Sequence, residues 1–96
     1  MPLQVVATIT AKPGSEDVVR DALTELVDGT RTEEGCMVYE LFQSGADPLV
    51  FVTVETWRGP EDLDAHRHTP HLKKAFAALG EHLAGPPAIH PLQPVA

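Results

Sequence analysis

The stretch Leu49 to Trp57 (LVFVTVETW) limits the architecture of this 96-residue chain more than any other segment. Its β-branched and aromatic residues read as a strand, and successive side chains of a strand point to opposite faces. Val50, Val52 and Val54 therefore share one face, while Phe51, Thr53, Glu55 and Trp57 share the other. Both faces need cover. A sheet built around this strand must be packed on two sides.

The remaining segments say what supplies the first side. Leu3 to Thr10 (LQVVATIT) is a second β-branched run, with Leu3, Val5, Ala7 and Ile9 alternating against Gln4, Val6, Thr8 and Thr10. Lys12-Pro13-Gly14 turns the chain, and Ser15 stands as an N-cap ahead of Glu16 and Asp17. Val19, Ala22, Leu23, Leu26 and Val27 recur at helical spacing, so a helix is expected from about Ser15 to Glu33, closed by Gly35 in a left-handed conformation. Gly29 weakens its last turns. Cys36 to Gln43 is a strand joined to Leu49–Trp57 by the turn residues Ser44 to Pro48. Pro60 suits the first turn of a second helix, which Pro70 interrupts, and Thr69 caps the continuation. Leu72, Ala75, Phe76, Leu79 and Leu83 form the buried stripe of that continuation, and Gly85-Pro86-Pro87 ends it. Ala88 to Val95 reads as a last strand whose prolines, Pro91 and Pro94, place it at a sheet edge.

The order is β-α-β-β-α-β, the split βαβ plan. The fold class is α+β: a ferredoxin-like sandwich, one four-stranded antiparallel sheet with its helices on one face. Residues 1–96 make one domain, and so short a chain has a modest core. Helices cover only one side of the sheet, which leaves a row of valines or aromatics larger than a monomer ordinarily exposes. A homodimer through that sheet face is expected.

Acidic residues outnumber basic ones, 14 to 7, for a net charge of -7. Nucleic acid and anionic membrane surfaces, which recruit Lys/Arg patches, are therefore disfavoured as partners. The single cysteine, Cys36, has no internal partner, and no basic, apolar leader or spanning segment is recognisable. The reducing cytoplasm is the expected compartment.

The runs EEGCMVYELFQ (33–43), FVTVETW (51–57), EDLDAHRHTPHLKKAF (61–76) and LAGPP (83–87) together resemble the antibiotic biosynthesis monooxygenase superfamily, in its small quinol-monooxygenase-like branch. The resemblance extends from Leu3 to Val95. It implies a ferredoxin-like protomer, a dimeric α/β barrel, and a pocket between helices and sheet in each protomer. It also implies oxidation of a quinol or an electron-rich phenolic or polycyclic aromatic compound by molecular oxygen, with no flavin, haem or metal cofactor. Relatives of similar size degrade haem or isomerise a small phosphorylated hydroxyketone. Family members that oxidise polycyclic phenols or degrade haem use a pocket asparagine, a type absent from this chain, and the haem degraders carry a Trp and a His where this chain has His66 and Phe76, so haem degradation is not expected.

A cofactor-free oxygenase needs a base that strips a proton from a phenol, and histidine titrates in the right range. His66 and His71 flank the break at Thr69-Pro70 and are the candidate catalytic residues; His68 reads as exposed. The spacing His-x-His-x-x-His does not bring three rings together on a helix, and no carboxylate stands at a recognised ligand spacing, so no metal is expected. Tyr39, Trp57 and Phe51 are candidates for an aromatic wall holding a flat substrate, and equally for core or dimer interface. Glu55, on a buried strand, lines the pocket or pairs across the dimer with Arg58. Cys36 reads as a packed thiol. The rival functions are the isomerase, with Arg67, Lys73 and Lys74 near the phosphate, and a non-catalytic aromatic-ligand-binding domain.

Overall fold

The computed structural model describes residues 2–96. Its elements are β1 (Leu3–Thr10), α1 (Glu16–Thr30), β2 (Cys36–Gln43), β3 (Val50–Trp57), α2 (Pro60–His66), α3 (Pro70–Leu79), a 3₁₀ turn (Gly80–His82) and β4 (Ala88–Pro91). The strands form one sheet in the order β2-β3-β1-β4 with every neighbour antiparallel. This is the expected ferredoxin-like α+β arrangement.

One face of the sheet is covered. Val5, Ala7, Ile9, Phe51, Thr53, Glu55 and Trp57 are buried beneath the helices. Their alternates Val6, Thr8 and Val52 are half-buried, and Val54 is exposed. The core is divided in two: Ile9 and Phe51 of the sheet cluster with Leu23 and Leu26 of α1 and Leu79 of α3, while Val5, Tyr39 and Trp57 cluster with Val27 of α1 and Leu63 of α2. A bulge at Met37 shifts the β2–β3 register between Cys36 and Val38. Beyond it Tyr39 stands opposite Glu55, so both aim at the helices.

Several boundaries differ from the sequence expectation. α1 stops at Thr30, three residues short of Glu33, and Gly35 is not left-handed; the glycines with positive φ among the described residues are Gly14 and Gly80. The end comes early because Gly29, Thr30 and Thr32 are weak helix formers. The Thr32 hydroxyl donates to the Gly29 carbonyl (2.6 Å), and tight turns carry the chain from Gly29 to Cys36. Gly35 is needed for another reason: a Cβ there would overlap the Asp62 side chain. Ser15 stands at the N-cap but makes no cap bond, its hydroxyl meeting His82 Nδ1 at 3.0 Å.

α3 ends at Leu79, where Gly80 takes φ +38°, so Leu83 reaches the core from an extended segment that bridges to Ala11. Phe76, expected on the buried stripe, is substantially exposed. β4 covers Ala88–Pro91 rather than continuing to Val95, since each proline removes a ladder donor. It lies at the sheet edge beside β1, as its prolines require.

Candidate functional site

Two helix ends and one turn meet above the β2–β3 half of the sheet. His66 is the last residue of α2 and His71 lies in the first turn of α3; the link between them is set by Thr69. The Thr69 hydroxyl donates to the His66 carbonyl (2.9 Å) and accepts from the Leu72 N–H (3.3 Å), which caps α3 and fixes the angle between the helices. The turn after α1 brings in Glu33. Its Oε2 lies 2.6 Å from His66 Nδ1 and 2.7 Å from His71 Nε2.

The protons of this trio follow from its chemistry. An ionised carboxylate only accepts hydrogen bonds, so both ring nitrogens facing it are N–H donors. When neutral, His66 therefore carries its proton on Nδ1 and keeps a lone pair on Nε2. Among the described residues that nitrogen has no hydrogen-bond partner. The ring packs against Trp57 (centroids 4.8 Å apart) and Tyr39 (5.8 Å) and is itself buried. A carboxylate fixing one nitrogen of a buried imidazole while the other stays free is the arrangement of a general base.

A cavity lies between the helices and the sheet. Its volume is about 80 Å³, and it opens to solvent. Aliphatic side chains such as Ile9, Leu23, Leu63, Leu72 and Leu79 make up most of the wall, and Tyr39, Thr53, Glu55, His66 and Arg67 are its polar members. Mostly apolar lining with a few convergent polar groups suits a small, flat organic ligand.

Glu55 is buried and fully engaged. Oε2 accepts from the Thr53 hydroxyl (2.6 Å) and Oε1 from the Trp57 indole N–H (2.8 Å). It faces the helices, so the pairing with Arg58 across a sheet interface does not occur; Arg58 instead binds Asp62 (2.8 and 3.0 Å). Burial, then the Glu55 charge beside it, holds the Tyr39 hydroxyl well above the ordinary phenol range. The Thr30 hydroxyl works weakly the other way, from outside ordinary hydrogen-bond geometry, and is otherwise buried without a partner. Cys36 is pushed up to about 11 by burial and by the Glu33 and Glu55 charges.

Of the residues singled out from sequence, His66, Tyr39 and Glu55 line the cavity. Trp57 lies behind them, fully buried, as a donor to Glu55 and a platform for His66. Phe51 is core, with the Arg20 guanidinium 5.9 Å from its ring centroid. His71 lies outside the cavity wall and reaches the site through Glu33. His68 is exposed. Glu33 was missed: it is distant in sequence from both histidines, and its only signal was a carboxylate at the end of a helix. The ligand atoms of Glu33, His66 and His71 lie within 4.8 Å of one another, a convergence that local spacing could not reveal.

The chain is similar to several known proteins. Rv0793 of Mycobacterium tuberculosis, named as a candidate monooxygenase, is 35% identical over 94 residues, covering 98% of this chain and 92% of its own length. YgiN of Escherichia coli, named as a probable quinol monooxygenase, is 35% identical over 88 residues, covering 80% of this chain and 84% of its own. The crystal structure of PA3566 from Pseudomonas aeruginosa superposes with a TM-score of 0.91 at 34% identity, covering 99% of this chain and 95% of that one. No helix among the described residues is long and apolar enough to cross a membrane. Residues 2–78, which hold three of the four strands, the histidine pair and Glu33, match the family model described as antibiotic biosynthesis monooxygenase, and the chain belongs to that family.

Proposed function

We propose that the protein is a cofactor-independent monooxygenase acting on a quinol or similarly electron-rich phenol, with His66 as the general base. The observation that carries this reading is the buried His66 ring on the cavity wall, its Nδ1 bonded to Glu33 and its Nε2 free. Nε2 takes the proton of a substrate hydroxyl, and the resulting anion is electron-rich enough to reduce oxygen. A hydroquinone and O₂ give a hydroxyquinone and water: the substrate supplies all the electrons, so no external reductant is required. Glu33 stabilises the imidazolium that forms, and His71 positions Glu33. Tyr39 and Glu55 shape the polar end of the pocket, with Trp57 and Phe51 behind them.

The single domain works as a cytoplasmic homodimer through the uncovered sheet face, where Phe42 is 49% and Val54 40% exposed. Phosphosugar isomerisation is less well supported. Among the described residues Arg67 is the one Arg or Lys on the cavity wall, while Lys73 and Lys74 are absent from it and Lys74 pairs with Glu25.

Oxygen uptake by purified protein with one- and two-ring hydroquinones, corrected for autoxidation, tests the reading. His66→Ala should lower kcat by about 100-fold or more, the usual scale for losing a general base. Undiminished uptake would remove His66 from the chemistry.

A further inference from the structure

We propose that Glu33, His66 and His71 form a binding site for a first-row divalent cation, Zn²⁺ foremost, and that occupancy silences the base. The second half rests on the reading of His66 given above; the first half stands on the donor geometry alone.

Three segments that are separate in the chain deliver one ligand atom each: the turn after α1, the end of α2 and the start of α3. Their atoms lie within 4.8 Å of one another. Two imidazole nitrogens and a carboxylate oxygen make up the donor set that borderline cations such as Zn²⁺ prefer over Mg²⁺ or Ca²⁺, which favour oxygen alone. Around a tetrahedral zinc, donors at about 2.0–2.2 Å stand roughly 3.3 Å apart. Glu33 would open its present contacts of 2.6 and 2.7 Å, and the two rings would swing towards each other.

The surroundings allow this. The side chains of His66 and Glu33 are 7% and 13% exposed, so the site is largely dry. That of His71 is 23% exposed, which leaves an entry for the ion and room for water to complete its shell. His71 can lie so close to α1 only because residue 29 is glycine: a Cβ there would stand 2.7 Å from His71 Cβ.

Occupancy has a chemical consequence at the cavity. Nδ1 of His66 binds the ion only without its proton, which moves through solvent to Nε2. Nε2 then becomes a donor. It can no longer accept a proton from a substrate hydroxyl, and oxidation stops without any change of fold.

Metal-free protein titrated with Co²⁺ alone tests the site, read by the visible ligand-field absorption of the bound ion and then by its displacement with Zn²⁺. Saturable binding is expected. His71→Ala and Glu33→Gln should each weaken it by about 10- to 100-fold or more, with far-UV circular dichroism checking the fold. His68→Ala, which alters an exposed residue outside the trio, should leave binding unchanged. If Glu33→Gln fails to fold, His71→Ala decides. No saturable binding, binding unaltered in His71→Ala, or binding lost in His68→Ala would overturn the site. The two halves fail separately. Saturation with Zn²⁺ while hydroquinone oxidation continues undiminished would keep the site and overturn His66 as base.

Discussion

A carboxylate oxygen that accepts from two imidazoles at once holds each ring in one tautomer, and at this site that oxygen is Glu33 Oε2. In Glu33→Gln the amide keeps an acceptor but loses the charge that stabilises imidazolium. The expected outcome is a fall in kcat of about 10- to 100-fold with KM little changed, measured by steady-state oxygen uptake across pH. Histidines were easy to nominate from sequence because so few residue types titrate near neutrality. Glu33 was not, because a glutamate on a helix-forming stretch looks like solvated surface, and nothing local says which way a turn will aim it. Cys36 gives a second test at this scale. Its thiol ionises at about 11 when folded, against 9.0 ordinarily, so the folded state prefers the neutral form. Its contribution to stability is present below pH 9 and is lost as pH rises through about 11. Alkylation by iodoacetamide should accordingly accelerate near pH 11 in the native protein and near pH 9 in urea.

Elements meet at the site because helices end where they do. Proline at 60 and 70 and threonine at 69 announced α2, the break and α3 in the sequence, each through a cap or a missing N–H. The early end of α1 was not announced. Its last turn is closed by back-bonding from Thr32, a competition with helical hydrogen bonding that periodicity does not register. Gly29 read as a weak point in α1 and is also the clearance for His71. Gly29→Ala therefore sets a helix-propensity gain of about 1 kcal/mol against an overpacking cost of about 1–3 kcal/mol. The clash involves Cβ and Cγ of His71, which cannot swing away cheaply, so the cost should win. Urea denaturation should show lower stability, and oxygen uptake should fall as His71 leaves Glu33.

At the scale of the whole molecule the valines of β3 dominate. Val52 and Val54 stand with Val6 and Phe42 on the sheet face that no helix covers, joined through the pairings Val6 to Val54 and Val52 to Phe42. The proposed dimer buries that face. Val54→Asp places a charge in the centre of it and should yield a folded monomer by sedimentation velocity, with native far-UV circular dichroism and a lower Tm. A dimer persisting in that variant would show that another surface joins the protomers. Glu40, which pairs with Val54, already sets one carboxylate at this face, and a second beside it adds repulsion.

Alternation, capping residues and turn chemistry are local properties, and from them the sequence by itself determined the strand and helix order, the faces of β1 and β3, and the break that carries both histidines. A β-strand has only two sides and a proline only one permitted φ, so those features hold whatever the rest of the chain does. Tertiary structure alone decided that Glu33 should lie between His66 and His71, that Glu55 should be held by Thr53 and Trp57 rather than by Arg58, and that His71 should lie behind the cavity wall. Each of these depends on where separate segments cross in space, and a displacement of one helical turn, about 5.4 Å, is larger than any hydrogen bond involved.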